Sequence, residues 1–171
     1  GNKSELAVGY STIYGDAVGG YAPIKDVLKS RVWALARWRD DHALDHGEIP
    51  PIPESSITKP PSAELRPGQV DQDSLPPYDR LDAVLEDYVG RNLGHGALAV
   101  AGHDPATIAL VLRLVDRAEW KRRQYPPGPK ISSVAFGRDR RLPVTSRRRE
   151  TPPTPDVAPT PSTTTPNLEQ P

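Results

Sequence analysis

Residues 1–16 read GNKSELAVGYSTIYGD, and this stretch carries the strongest structural signal in the chain. Asn2 is a residue type that caps helices, and Glu5 follows three positions later, ahead of an apolar helical stripe. The pattern predicts a short helix over residues 3–13, ended by Gly15. Because its first turn carries amide, hydroxyl and carboxylate groups, this helix suits the binding of a phosphate or a metal–phosphate complex.

The composition excludes several kinds of site. The 22 Lys and Arg residues balance the 22 Asp and Glu residues, so the net charge gives no argument for binding nucleic acid or a membrane. The lack of cysteine excludes disulfides, thiolate metal sites and a cysteine nucleophile in this stretch. No apolar run approaches membrane-spanning length, and there is no basic-then-apolar leader. The sequence therefore predicts a soluble, cytoplasmic protein.

The last residues, 149–171, differ in composition from the rest. From Thr151 onward the chain is rich in proline and threonine, with almost nothing apolar to bury. Such a segment cannot offset its ordering entropy by burial, which predicts a disordered tail with polyproline II bias. It is either a ligand for a proline-binding module or an idle extension, and its unspecific composition favours the extension.

Two helices are predicted in the middle of the chain, over about residues 24–45 and 78–93, from apolar residues at three- and four-residue spacing. Residues 50–77 between them are predicted to be mostly loop, with room for one short extended piece around Ile57. The apolar stripe of the earlier helix consists of Ile24, Val27, Leu28, Val32, Leu35 and Trp38.

A further helix is predicted to start at Asp104-Pro105, because Asp caps helices and Pro fits the first helical position. It ends near residues 120–123, ahead of a proline-rich stretch. No internal repeat is present. The chain is therefore expected to consist mostly of α-helix and loop, with few strands.

Seven short motifs follow one another along the chain. They read GNKSELAVGY at residues 1–10, YGD at 14–16, APIKDV at 22–27, KPPSAELRP at 59–67, DQDSLPPYD at 71–79, EWKRRQ at 119–124 and FGRDRR at 136–141. In this order they resemble the NAD+ synthetase family, most closely its longer, glutamine-dependent variants. Those variants fuse an N-terminal glutaminase to a C-terminal ATP-dependent amidating domain. No single motif is specific, but the ordered set is.

The resemblance implies a parent α/β fold of the adenine nucleotide α-hydrolase type, with a doubly wound parallel sheet. The family's ATP pyrophosphate loop, SGGxDS, is absent from this sequence, since Val18-Gly19-Gly20 lacks the serine and aspartate. We expect residues 1–148 to be the C-terminal, mostly helical portion of the amidating domain. Gly1 is not a natural start and methionine is absent, so we expect upstream a threonine, the ATP loop and a nitrilase-like glutaminase.

The resemblance also implies a ligase reaction in two steps. The nicotinate carboxylate of deamido-NAD+ attacks the α-phosphorus of ATP, and ammonia from glutamine then displaces AMP. This chemistry implies ATP as co-substrate, Mg2+ as cofactor and a homo-oligomer, such as a dimer, formed through the synthetase domain. Neither a membrane nor a nucleic acid is implied as partner. We assign no catalytic residue to this chain, and because the ATP loop is absent we expect the chain alone to be inactive.

Glu5 and Lys121 are the residues that the resemblance assigns to deamido-NAD+, and Glu5 also to Mg2+, which prefers carboxylate and phosphate oxygens. The alternative for Glu5 is a capping-box glutamate that accepts a hydrogen bond from the amide of Asn2. The alternative for Lys121 is a basic helix end that complements its own dipole. Short relatives have histidine where this chain has Trp120, so stacking at that position stays open.

Lys29 and Ser62 align with a lysine and a threonine that contact ATP in short, ammonia-using relatives. A lysine suits a point-charge contact with phosphate, and a hydroxyl can donate to a phosphate oxygen. The alternative for Lys29 is a solvated helix face. Asp16 is placed near the reacting carboxylate, although a turn-forming aspartate after Gly15 is the simpler interpretation.

Residues 66–77 resemble the family's mobile loop that closes over ATP, and a plain connector is the alternative. His42 and His46 have metal-ligand spacing, but a solvated helix end is favoured because no further ligands are evident. The arginines near the end of the chain could form a helical nucleic-acid-binding module, could bind phosphate or a second subunit, or could be solvated. They are Arg138, Arg140, Arg141, Arg147, Arg148 and Arg149.

Overall fold

A computed structural model describes residues 1–62, 66–146 and 149–150. All but two residues of the predicted tail lie outside these ranges, as do Arg147 and Arg148. Within the described ranges the chain forms seven α-helices and no β-strand, apart from one isolated bridge between Phe136 and Arg140. The helices are α1 (Lys3–Val8), α2 (Lys29–Asp45), α3 (Glu54–Thr58), α4 (Tyr78–Leu85), α5 (His95–Val100), α6 (Pro105–Arg117) and α7 (Glu119–Arg122).

The core is built where α1, α4 and α6 pack against one another. The helix α6 turns one apolar face inward, and α4 does the same. Five of the six residues of α1 are buried, including Lys3 and Ser4, so this helix lies at the centre of the described part. The core side chains of α4 and α6 are Tyr78, Leu81, Val84, Leu85, Ile108, Val111, Leu112 and Val115.

The helix α1 ends earlier than the sequence predicted, at Val8 and not at residue 13. Gly9 adopts the left-handed conformation, with φ 75°, and its N–H closes the helix on the carbonyl of Glu5. A Cβ at Gly9 would lie only 3.0 Å from the Cβ of Ala118, so the glycine also permits close packing against the chain between α6 and α7.

The helix α2 starts at Lys29, five residues later than predicted, because residues 24–27 form a turn in which the Val27 N–H donates to the carbonyl of Ile24 (3.0 Å). Its predicted apolar stripe is covered only in part: Val27 and Leu28 are buried, but both precede the helix. Leu35 and Trp38 are 53% and 60% exposed. The spacing thus predicted the helix correctly but not which of its residues are buried.

The remaining differences concern short elements. Ile57 lies in α3 and not in an extended piece. The helix predicted over 78–93 consists of α4 followed by a π-helical turn, Glu86–Gly90. The helix α5, which buries only Leu98, was not predicted because six residues give too little periodicity. The helix predicted from Asp104-Pro105 is confirmed as α6 and α7, interrupted at Ala118.

The expected scarcity of strands is confirmed for the described residues. The doubly wound α/β parent fold would need strands that these residues do not supply, so it stays a prediction. None of the helices in the described ranges has the length and apolar character needed to cross a membrane.

Candidate functional site

A cavity of about 260 Å³ collects four of the residues singled out from the sequence. They are Glu5, Asp16, Lys29 and Ser62. The cavity lies where the first turns of α1 and α2 face the segment that follows α3. Residues more than fifty positions apart in sequence therefore meet at one site.

The carboxylate of Glu5 contacts both the first turn of α1 and the cavity. Its Oε2 accepts a hydrogen bond from the Asn2 N–H (3.0 Å), and its own N–H donates to the Asn2 side chain (3.1 Å), which completes the capping box. Its Oε1 forms an ion pair with the Lys29 ammonium at 2.9 Å. The capping alternative is thus correct, yet the cap uses one carboxylate oxygen and leaves the other for the cavity.

Lys29 is held in a partly aromatic setting. Its Nζ lies 5.5 Å from the centroid of the Trp33 ring and 5.6 Å from that of Tyr78, within the range of cation–π attraction. The side chains of Lys29 and Glu5 are each 17% exposed. Lys29 therefore does not lie on a solvated helix face, which was the alternative interpretation.

The ring of Tyr78 is fixed on its other side. It meets Trp33 edge to face, with 5.8 Å between centroids, and its hydroxyl donates to Asp71 at 2.7 Å. Burial, the hydrogen bond to Asp71 and nearby carboxylates raise the pKa of Tyr78 well above its ordinary value. The phenol consequently remains a neutral donor, and the ring of Tyr78 is held by contacts on both sides.

Asp82 positions the start of α2. Its carboxylate accepts hydrogen bonds from the Ser4 hydroxyl and from the Ser30 N–H (2.9 Å), while the Ser4 hydroxyl accepts from the Lys29 N–H at 2.9 Å. Burial raises the pKa of Asp82, although these hydrogen bonds act in the opposite direction. Sequence reasoning missed this residue; the available signal was an aspartate within the apolar stripe of α4, next to buried Leu81.

Asp16 closes a turn as well as lining the cavity. Its Oδ2 accepts from the Thr12 N–H (2.8 Å) and from the Thr12 hydroxyl (3.1 Å). Burial alone would raise the pKa of Asp16, but these hydrogen bonds outweigh it and lower the pKa, so the carboxylate is charged near neutral pH. The turn-forming interpretation is correct, and a negative charge also faces the cavity.

Ser62 lies between the cavity and the loop of residues 66–77, because it also lines a neighbouring pocket formed with Arg66–Val70. The far part of this loop is attached to the core. The Asp71 N–H donates to the carbonyl of Pro61 (2.8 Å), and the Ser74 hydroxyl lies 2.6 Å from that of Tyr10. Closure of the loop over a nucleotide stays a prediction.

Lys121 is not among the described residues that line the cavity. Its Nζ donates to the carbonyl oxygens of Gly9 (2.7 Å) and Ser11 (3.0 Å), and it lies 5.8 Å from the centroid of the Trp120 ring. The ammonium therefore complements the carboxyl end of α1 and not that of its own helix. It ties α7 to the loop that carries Asp16.

Most of the other sequence candidates are exposed, and Arg140 is the exception. His42 and His46 are exposed, with ring centroids 4.2 Å apart, and no group of three potential metal ligands occurs in the described ranges. Arg140 lies over the ring of Tyr88, 4.4 Å from its centroid, whereas Arg138 and Arg141 are exposed.

Comparison with known proteins yields one consistent group. The sequence model of the NAD synthase family matches residues 1–125. Two glutamine-dependent NAD(+) synthetases are each 55% identical to the chain: that of Xanthomonas campestris pv. campestris over 146 residues, and that of Acinetobacter baylyi over 144. These matches cover 85% and 84% of this chain but only 26% of each relative.

A solved structure extends the match to three dimensions. It is the crystal structure of a glutamine-dependent NAD(+) synthetase from Cytophaga hutchinsonii, with a TM-score of 0.63 and 25% identity over 86% of this chain. The match covers 24% of that protein. The chain thus spans about a quarter of the length of the relatives it matches. None of these relatives supports the alternative of a nucleic-acid-binding module.

Proposed function

Because this chain belongs to the NAD synthase family, we propose that it contributes the substrate-binding cavity of a glutamine-dependent NAD+ synthetase. This ATP-dependent ligase adenylates the nicotinate carboxylate of deamido-NAD+, releasing pyrophosphate, and amidates it with ammonia from glutamine, releasing AMP. The observation that carries the proposal is the meeting of Glu5, Asp16, Lys29 and Ser62 around one cavity.

Lys29 and Ser62 are the proposed ATP contacts. Lys29 presents its ammonium at the cavity in a partly buried setting, where the effective dielectric constant is below that of water and attraction to phosphate is stronger. Trp33 and Tyr78 limit the motion of the ammonium, so less entropy is lost on binding. The hydroxyl of Ser62 is suited to donate to a phosphate oxygen.

Glu5 and Asp16 make the cavity suitable for Mg2+. This ion is usually held by one or two carboxylates together with substrate phosphates and water. Three carboxylates line this cavity, and that of Asp71 is already engaged by the Tyr78 hydroxyl, which leaves those of Glu5 and Asp16. When bound, the ion would neutralise charge on the phosphates. Glu5 is accordingly the residue that we propose for both deamido-NAD+ and the metal.

Lys121 is the second proposed deamido-NAD+ residue. Its hydrogen bonds to Gly9 and Ser11 place a positive charge beside the loop that leads to Asp16. A cation at this place both orders the loop and attracts a dinucleotide pyrophosphate. Its ligand role is thus combined with a structural one.

The proposal extends to the parent protein. Residues 1–148 would form the C-terminal portion of a doubly wound α/β amidating domain, in a cytoplasmic homo-oligomer. The pyrophosphate loop, whose motif this sequence lacks, would come from another part of that domain. We therefore assign binding and positioning to this chain, and no catalytic residue.

A chimera tests the proposal. This chain replaces the stretch that it matches in the Xanthomonas campestris synthetase, and NAD+ formation from deamido-NAD+, ATP, Mg2+ and ammonia is measured for the chimera and for the chain alone. We expect the chimera to make NAD+ and the chain alone to make none above background. A chimera that folds, as judged by circular dichroism and thermal melting, but makes no NAD+ would refute the proposal.

A further inference from the structure

A second cleft, of about 480 Å³, lies between the helical core and the segment of residues 126–141. Its volume is within the range of small-molecule sites. Among the described residues it shares none of its lining with the Glu5 cavity. The family match ends at Tyr125, so most of the segment that walls this cleft lies outside the matched domain. The alignments with the glutamine-dependent relatives are longer than 125 residues and must extend past it.

The charges that face this cleft are unbalanced. Of the carboxylates near it, Asp26 pairs with Lys3 (3.0 Å), Glu119 with Arg122 (3.0 Å) and Arg123 (2.8 Å), and Asp139 with Lys130 (2.8 Å). Three lining cations form no direct ion pair with a carboxylate among the described residues, although Asp26 and Asp139 act on two of them through their charge. They are Lys25, Arg138 and Arg141.

Lys25 is the most enclosed of these three cations. Its Nζ donates to the carbonyl of Pro126 at 2.7 Å, and burial lowers its pKa although Asp26 acts in the opposite direction. Lys25 is half-buried and forms no direct ion pair among the described residues, so an anion in the cleft would add a favourable charge interaction in a partly desolvated setting. Arg138 and Arg141 are exposed and can offer planar, bidentate donors, which suit phosphate.

The wall of the cleft is fixed before any ligand binds. The Ala22 N–H donates to the carbonyl of Pro127 (2.8 Å), and Asp26 accepts from the N–H groups of Ile131 and Ser132 (2.8 Å each). A Cβ at Gly128 would clash with the carbonyl oxygen of Ala22, so only glycine allows this approach. Preorganised walls lower the entropic cost of binding.

We propose that the cleft formed by Lys25, Arg138 and Arg141 binds a diphosphate group, either as free pyrophosphate or as part of a nucleotide. This inference does not depend on the proposed function, since it rests on a different cavity and different residues.

The test is calorimetric titration of the 171-residue chain with pyrophosphate and, separately, with ADP. We expect saturable binding that the double variant Arg138→Gln/Arg141→Gln weakens at least tenfold. Arg37→Gln/Arg113→Gln is the matched control, because it removes the same charge from exposed sites away from the cleft, and it should change the affinity less than twofold. Equal affinities for pyrophosphate and ADP would indicate recognition of the diphosphate alone, and tighter ADP binding would assign a nucleotide.

Two results would overturn the inference. One is the absence of saturable binding by the wild-type chain. The other is an equal loss of pyrophosphate affinity in the two double variants, which would show unspecific attraction to positive charge and not binding at a defined site. Glu5→Gln should leave pyrophosphate binding in this cleft unchanged, so failure of the proposed function and failure of this inference can be told apart.

Discussion

At the scale of single residues, Glu5 shows why a structural and a functional interpretation need not compete. One oxygen of its carboxylate completes the cap of α1, and the other meets Lys29 at the cavity. The cap fixes the backbone position of Glu5, and the ion pair fixes the direction of its side chain. A residue constrained in both ways holds its charge at a defined point, as binding of a metal–phosphate group requires.

The prediction at the scale of single residues concerns the substitution of Lys121. Lys121→Ala should lower the free energy of unfolding by about 2 kcal/mol, because it removes charge-assisted hydrogen bonds to Gly9 and Ser11. In the chimera it should also raise the KM for deamido-NAD+ about tenfold, since a contact of about 1.4 kcal/mol is lost. Thermal melting and steady-state kinetics measure the two effects.

Lys121→Arg should restore the stability in part and the KM in part, because a planar guanidinium does not replace a point charge. Arg117→Ala, an exposed cation at the end of α6, is the control and should change neither quantity appreciably. A lowered stability with an unchanged KM would show that Lys121 has only a structural role.

At the scale of the elements, the short segment 131–134 is attached to α1 through buried charges. Lys3 pairs with Asp26 at 3.0 Å, and Lys3 also donates to the Ser132 hydroxyl (2.6 Å) and to the carbonyl of Val134 (2.8 Å). Burial alone would raise the pKa of Asp26, but the hydrogen bonds from Ser132, Ile131 and Lys3 outweigh it and lower the pKa.

Asp26→Asn is therefore predicted to destabilise the protein by about 3 kcal/mol at neutral pH, because the buried ammonium of Lys3 loses its counter-charge. A lowered folded pKa means that the stabilisation is complete above the ordinary value of 3.8 and is lost as the pH falls through the folded value. Urea unfolding between pH 7 and pH 2 should show a smaller loss of stability on acidification for Asp26→Asn than for the wild type.

Asp45→Asn, at an exposed position of α2, is the matched control and should change the stability by less than about 0.5 kcal/mol. If Asp26→Asn had the same pH dependence as the wild type, the buried pair would not be the acid-sensitive attachment.

The sequence could predict those helices whose starts are determined by residues close together in the chain. Asp104 accepts from the Thr107 N–H at 2.8 Å and Pro105 opens α6, so every determinant of that start lies within four residues. The start of α2 depends instead on Asp82, which lies more than fifty residues away. The periodicity around residue 24 therefore placed the helix start too early.

The residues of the candidate site were likewise predicted only in part. Glu5, Lys29 and Ser62 were predicted through the family resemblance, and the structure brings them to one cavity. Trp33 and Tyr78, which hold the ammonium of Lys29, were not singled out for this role, because an apolar ring at helical spacing is indistinguishable from core. Their role follows only from the packing of α2 against α4.

At the scale of the whole molecule, the described part leaves several apolar side chains of α2 uncovered. Leu35, Trp38 and Leu44 are each more than half exposed. Exposed apolar patches usually mark contact surfaces, and the chain spans about a quarter of the length of its relatives. In the proposed parent enzyme we expect these side chains to be covered by another part of the protein or by a second subunit.

The central claim is that the charge of Glu5 belongs to a substrate site and not only to a cap. Glu5→Gln tests it, because glutamine preserves the capping box and removes the charge. The ion pair with Lys29 is partly exposed, so its loss should cost below about 1 kcal/mol of stability. Glu5→Ala, which also loses the cap, should cost about 1 kcal/mol more.

The most direct measurement is ammonia-dependent NAD+ formation by the chimera and its Glu5→Gln variant at equal folded concentration. We predict that Glu5→Gln lowers kcat/KM for deamido-NAD+ about a hundredfold, as removal of one preorganised electrostatic contact does, with a nearly unchanged melting temperature. A Glu5→Gln chimera that retains at least half of the activity would show that Glu5 only caps α1 and would contradict the account.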